Sequence, residues 1–179
     1  KKYMIFGVLS FNPRGNTAPI RQALKKAEAT WPGGDAHYGS DIGFLCSAGE
    51  DGFFEDTEKN IRIVYSGKIY NYSELRGELE AAGAKFRSRL ETELVLHAYV
   101  AWGDGCQERF NGEWAFAAWN GRTSQLFCSR DRFGLSPFYY FIDRDIFAFG
   151  STARILFSCR SIKKEPDNNA VFHYLTENN

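Results

Sequence analysis

The chain has little that would staple it covalently or aim it at a charged partner. Its 179 residues include only four cysteines, three histidines, five prolines and one methionine. Cys46, Cys106, Cys128 and Cys159 are scattered without a CxxC pair, and a chain of this length does not need disulfides to fold. Buried, reduced thiols are therefore expected. His37, His97 and His173 stand apart from one another and from those cysteines, a spacing that does not build a zinc site. Basic and acidic residues balance at 22 each. That removes the net field that draws a protein to nucleic acid or an anionic membrane, so neither is expected as a partner. No apolar run approaches bilayer length, and the start lacks a hydrophobic core ending at a small-residue cleavage site. The expectation is a soluble, cytoplasmic protein.

What is present is core-forming material: 44% of the residues are hydrophobic and 16% aromatic, enough for one substantial domain. After the opening apolar strand, "NPRGN" supplies turn chemistry. Thr17 followed by Ala18-Pro19 reads as a helix start, with Ile20, Ala23, Leu24 and Ala27 on one face. "WPGG" stops that helix, and "DIGFLCSA" and "IRIVYSG" read as strands around an acidic stretch near Glu50 to Glu58, expected to be a solvated hairpin tip. Asn71 with Glu74, and Ser88 with Glu91, have capping-box spacing. Two helices are expected there, the first burying Leu75, Leu79 and Ala82 and the second Leu94, Val95, Ala98 and Ala101.

From residue 112 the apolar period changes to two. "GEWAFAAWN" sets Trp114, Phe116 and Ala118 on one side and Ala115, Ala117 and Trp119 on the other. Both faces should be covered, one by a layer close enough to require alanine. "SQLFCSRD", "PFYYFID" and "IFAFGS" continue as short strands. The order of elements predicts two packed sheets with helices outside them. "SIKKEPDNN" near the end reads as a linker leading into an amphipathic start that looks cut off.

The stretch "SGKIYNYSELRGELEAAGAKFRSRLETELVLHAYVAWGDGCQERFNGEWAFAAWN", followed by "LFCSRDRFGLSPFYY", closely resembles the class II glutamine amidotransferase domain of asparagine synthetase-like enzymes. The match is strong from Gly67 to about Tyr140 and weaker over Met4 to Leu9 and Phe147 to Leu156. The resemblance implies an α+β fold of the N-terminal-nucleophile type, a four-layer αββα sandwich of two antiparallel sheets flanked by helices. It also implies an amidotransferase-like domain over residues 1–158, with 159–179 as a linker and the first residues leading into a synthetase domain. That C-terminal domain would be this domain's partner and would bind Mg-ATP; no cofactor is expected here. A homodimer is left open.

In such enzymes glutamine hydrolysis uses a cysteine at the mature N-terminus, whose own α-amino group moves the thiol proton. Aligning "MIFGVL" with the family's start places Tyr3 on that cysteine, and Lys1-Lys2 displaces the terminal amine. A phenol of pKa about 10 is a poor nucleophile at neutral pH. By the same resemblance the family's oxyanion asparagine and glycine fall on Ser66 and Gly67, the first of them too short. A glutamate facing the substrate ammonium falls on Lys68, which would repel it, and an ammonium-binding aspartate falls on Glu91. The strand that should carry a carboxylate-clamping arginine, "DIGFLCSAGED", has no basic residue, and an HRGPD-like loop is reduced to "WPGGD". These four residues would be a remnant glutamine pocket, and no catalytic residue is assigned. Loss of one oxyanion donor alone costs roughly 3–4 kcal/mol in an acyl-transfer enzyme. The expectation is a domain without glutaminase activity that serves as a scaffold. The alternatives are a working glutaminase supplying ammonia and a small-molecule sensor built on the remnant pocket. Cys106, Cys128 and His97 are expected to be structural, and "RDRFG" to hold its turn by ion pairing.

Overall fold

A computed structural model describes residues 4–11, 17–47, 52–163 and 165–177. Among the described residues nine strands form two sheets, with every neighbouring pair antiparallel. The first sheet runs β2 (Gly34–Tyr38), β3 (Ile42–Ser47), β1 (Ile5–Ser10), β9 (Ile146–Gly150), β8 (Tyr139–Ile142). The second runs β4 (Phe53–Asp56), β5 (Ile61–Ile69), β6 (Gly112–Asn120), β7 (Gln125–Arg130). Helix α1 (Ala18–Thr30) covers the outer face of the first sheet, burying the Ile20, Ala23, Leu24 and Ala27 stripe against Phe6, Val8 and Leu45. Helices α2 (Tyr72–Ala81) and α3 (Glu91–Trp102) cover the second, with Leu75, Leu79, Leu94 and Val95 against Tyr65, Trp114 and Phe116.

Between the sheets lie Ile5, Phe44, Val64, Ala115, Ala117 and Phe149. Three apolar interfaces thus separate four layers, which is the expected αββα sandwich. The alternation read in β6 holds residue by residue: Trp114, Phe116 and Ala118 meet the helices, while Ala115, Ala117 and Trp119 meet the other sheet. Small residues set that spacing, since a side chain at Gly7 would run into the Phe149 ring. Replacing the fully buried Ala117 by leucine forces extra methylenes between the sheets. We expect a loss of about 2 kcal/mol, read as a lower urea midpoint with an unchanged slope.

Several local expectations change. Ala82 and Ala101 are exposed rather than buried, because α2 ends at Ala81 and the last turn of α3 points to solvent. Asn71 sits at the start of α2 but makes no side-chain cap; it accepts from the Asn111 N–H and donates to the Arg109 carbonyl, tying α2 to the turn before β6. The acidic stretch is not all hairpin tip: Phe53–Asp56 is β4, and Asp56 is buried, accepting from the Lys59 N–H. Ser88 does not cap α3 with Glu91: the helix starts after Leu90 with no side-chain cap, and Ser88 donates its N–H and hydroxyl to Glu93 instead. No helix among the described residues is long and apolar enough to cross a membrane.

Candidate functional site

Strand β5 and the first turn of α3 carry the four expected pocket residues and bring two of them, Lys68 and Glu91, into contact. Ser66 is buried opposite Ala115, on the face between the sheets. At Gly67 the backbone has φ +147°, and an added Cβ would strike the Glu113 carbonyl oxygen and lie 2.7 Å from Trp114 Cα. Gly112, two strand positions away across the ladder, has φ +153° and crowds the Lys68 carbonyl in the same way. This reciprocal close approach needs glycine on both strands. It fixes where Lys68 leaves the strand.

The Lys68 ammonium lies 2.6 Å from Glu91 Oε1. The second carboxylate oxygen accepts from the Tyr65 hydroxyl at 2.7 Å and from the Ile69 N–H at 3.1 Å. Both oxygens of Glu91 are therefore occupied by the chain's own donors. The hydrogen bond to Glu91 holds the Lys68 ammonium above its usual range, while burial, reinforced by the Glu91 charge, pushes the Tyr65 phenol well up. Lys68 is exposed and Glu91 mostly shielded, so the pair lies at the surface with its carboxylate turned inward.

Glu93 ties the start of α3, the element that carries Glu91, to the segment before it. The Glu93 carboxylate is fully buried and accepts from the Arg87 and Ser88 N–H groups at 2.6 and 2.7 Å and from the Ser88 hydroxyl at 2.6 Å. His97, mid-helix, lies 3.7 Å from it and packs on Phe86. Burial lowers the His97 pKa despite Glu93 beside it, and His97 reads as part of this packing.

The four cysteines are unpaired, and burial pushes each thiol up to about 12. Cys46 lies opposite Ile5 near the start of β1, but its side chain is sealed and points its Sγ at the Asp35 carbonyl, 3.8 Å away. A thiol that stays protonated at neutral pH is no nucleophile. Tyr3 lies outside the described residues.

The "RDRFG" turn is held differently from expectation. Asp131, buried, accepts from the N–H groups of Phe133, Leu135 and Ser136 at 3.1, 3.0 and 2.9 Å. Arg132 donates to the carbonyls of Phe110 and Glu108. Backbone bonds, not ion pairs, shape it, because a carboxylate inside a tight turn is surrounded by N–H groups before it can meet a cation.

Sequence reading missed Tyr65, the Ile69 N–H and Glu93. Tyr65 carried a usable signal, a hydroxyl-bearing aromatic at a helix-facing strand position; the backbone donor carried none.

The glutamine amidotransferase domain family matches residues 39–179 of the chain. Asparagine synthetase [glutamine-hydrolyzing] 3 of Bacillus subtilis is 38% identical over 109 residues, which is 61% of this chain and 18% of that protein. A putative asparagine synthetase of Methanocaldococcus jannaschii is 38% identical over 110 residues, 62% of this chain and 21% of its own length. Asparagine synthetase 1 of B. subtilis aligns with 95% of this chain at 29% identity, again over only 29% of its length. The chain thus spans less than a third of these relatives. Among solved structures, glutamine phosphoribosylpyrophosphate amidotransferase of B. subtilis superposes with a TM-score of 0.62 at 15% identity, covering 88% of this chain and 43% of that one. That likeness concerns the fold alone.

Proposed function

The chain belongs to the glutamine amidotransferase domain family, in its asparagine synthetase-like branch, and from that premise we propose that it is a pseudo-glutaminase. It is the amidotransferase-like part of an ATP-dependent amide-forming ligase related to asparagine synthetase, it does not hydrolyse glutamine, and it serves as a scaffold. The carrying observation is the 2.6 Å contact between Lys68 and Glu91. A free α-amino group needs an anionic partner in a shielded place, and Glu91, the carboxylate that the resemblance assigns to that role, is already neutralised by the chain's own ammonium. Tyr3 at the nucleophile's place in sequence and the four protonated thiols support the same reading.

In this proposal residues 1–158 form the domain and 159–179 lead toward a cytoplasmic synthetase partner, which binds Mg-ATP through its own residues. Helix α5 (Asn168–Glu177) supports that arrangement. Asp167 caps it by accepting from the N–H groups of Asn169 and Ala170, yet Val171, Phe172, Tyr174 and Leu175 are all exposed. A helix this short is marginal in water unless its apolar face is covered.

The purified chain is expected to release no ammonia from glutamine and to take up no label from a thiol-directed glutamine analogue, measured by coupled assay and intact mass. Turnover or stoichiometric labelling would favour the working glutaminase and sink the proposal.

A further inference from the structure

A second candidate site lies on the opposite outer layer, along α1. Arg21, Lys25 and Lys26 from this helix and Arg160 from the segment after α4 (Ala153–Leu156) line a groove of about 590 Å3. It adjoins an apolar slot of about 280 Å3 walled by Val8, Pro19, Ala23, Ile146 and Cys159, and the two share Ala18, Gln22 and Arg160.

The charges in this groove are placed against the helix's own interest. Arg21 and Lys25 are like charges four residues apart on one helix face, an arrangement that destabilises a helix. Arg21 also lies near the positive end of α1, whose first turn has no acidic residue. None of the four cations makes an ion pair with a described carboxylate. Lys26 donates to the Phe157 carbonyl at 2.7 Å, which fixes α1 to the segment carrying Arg160, and Arg21 reaches the Thr17 hydroxyl at 3.3 Å. In a chain whose 22 basic and 22 acidic residues balance, this concentration is local rather than a consequence of excess charge.

We propose that the groove and slot form one binding site for an organic diphosphate or polyphosphate with an apolar or ring-bearing body. The phosphate oxygens lie among Arg21, Lys25, Lys26 and Arg160, and the body enters the slot. Guanidinium and ammonium groups are the natural partners of phosphate, and four of them call for more negative charge than a single carboxylate supplies. The two volumes are of the order of small-molecule pockets, roughly 300–1,000 Å3. This site shares no residue with the Lys68–Glu91 pair, so it stands or falls independently of the amidotransferase reading.

The test is titration of the intact chain with uridine diphosphate, pyrophosphate and uridine by calorimetry, with NMR shifts locating each. Uridine diphosphate is expected to bind tightest, with shifts on α1 and residues 158–161. A Lys25→Glu/Arg160→Glu double variant, both positions being exposed, should weaken it by about tenfold or more. Gln22→Trp, which fills the shared boundary, should weaken uridine diphosphate more than pyrophosphate. The proposal is overturned if uridine diphosphate does not bind at millimolar concentration, if the charge variant binds it unchanged, or if only a long polyanion such as heparin binds.

Discussion

Replacing Asp131 by alanine is expected to destabilise the fold by about 3 kcal/mol, the cost of leaving three turn N–H groups, that of the buried Ser136 among them, without their acceptor. The side chain is small and polar, so almost none of this loss is hydrophobic. It comes from the N–H groups of Phe133, Leu135 and Ser136, all of which point at one carboxylate. For a domain of this length the change lowers the melting temperature by about 6–12 °C. Asp131→Asn, which keeps the shape and one acceptor oxygen, should fall between the two.

The pH dependence follows from the same geometry. Burial opposes ionisation of Asp131, but the backbone N–H groups around it, from Ser136, Leu135, Phe133 and Trp114, together outweigh burial and hold the carboxyl below its usual range. The folded state thus binds this proton more weakly than the unfolded chain, whose aspartates titrate near ~3.9. The resulting stability is fully present above that value and is lost as pH falls through the depressed folded value. The gap between the parent chain and Asp131→Ala, read by urea denaturation, should therefore be constant from neutral pH to about 5 and close below about 4. A gap that persisted unchanged into strong acid would show that the carboxylate's charge is not what holds the turn.

The second large effect is expected at Gly67. Alanine there must adopt φ +147° and place its Cβ against the backbone of Glu113 and Trp114 on β6, where no flexible side chain can yield. The ladder between β5 and β6 must open locally, at a cost of about 3 kcal/mol or more. Because Gly67 sets the exit of Lys68, the substitution should also disturb the pair with Glu91. Hydrogen exchange at the Ile69 amide, which is bonded to Glu91 at 3.1 Å, would then rise by more than at the middle of β5. A variant with parental stability and parental exchange at Ile69 would remove the steric account of this site.

Parts of this molecule were legible because their cause is local. The α1 stripe of Ile20, Ala23, Leu24 and Ala27 and the two faces of β6 follow from periods of 3.6 and 2, and the structure repeats them residue for residue. The four layers, the strong helices and the resemblance of Gly67 to Tyr140 were readable for the same reason. By contrast β2, "GDAHY", and β4, "FFED", carry no alternation of their own and exist because β3 and β5 offer them edges. Their signal is in their neighbours.

The sequence by itself determined most of the apolar core and the order of the layers, though not the exposure of Ala82 and Ala101; that a lysine at position 68 stands where an acid is expected rests on the resemblance. Only the tertiary structure decided that Lys68 meets Glu91 and that Tyr65 and the Ile69 N–H take the other oxygen. It also decided that Arg160 joins the cations of α1. Burial patterns are written in the spacing of neighbours along the chain, whereas which charges end up within 3 Å depends on how far strands and helices are brought together, and no local period encodes that distance.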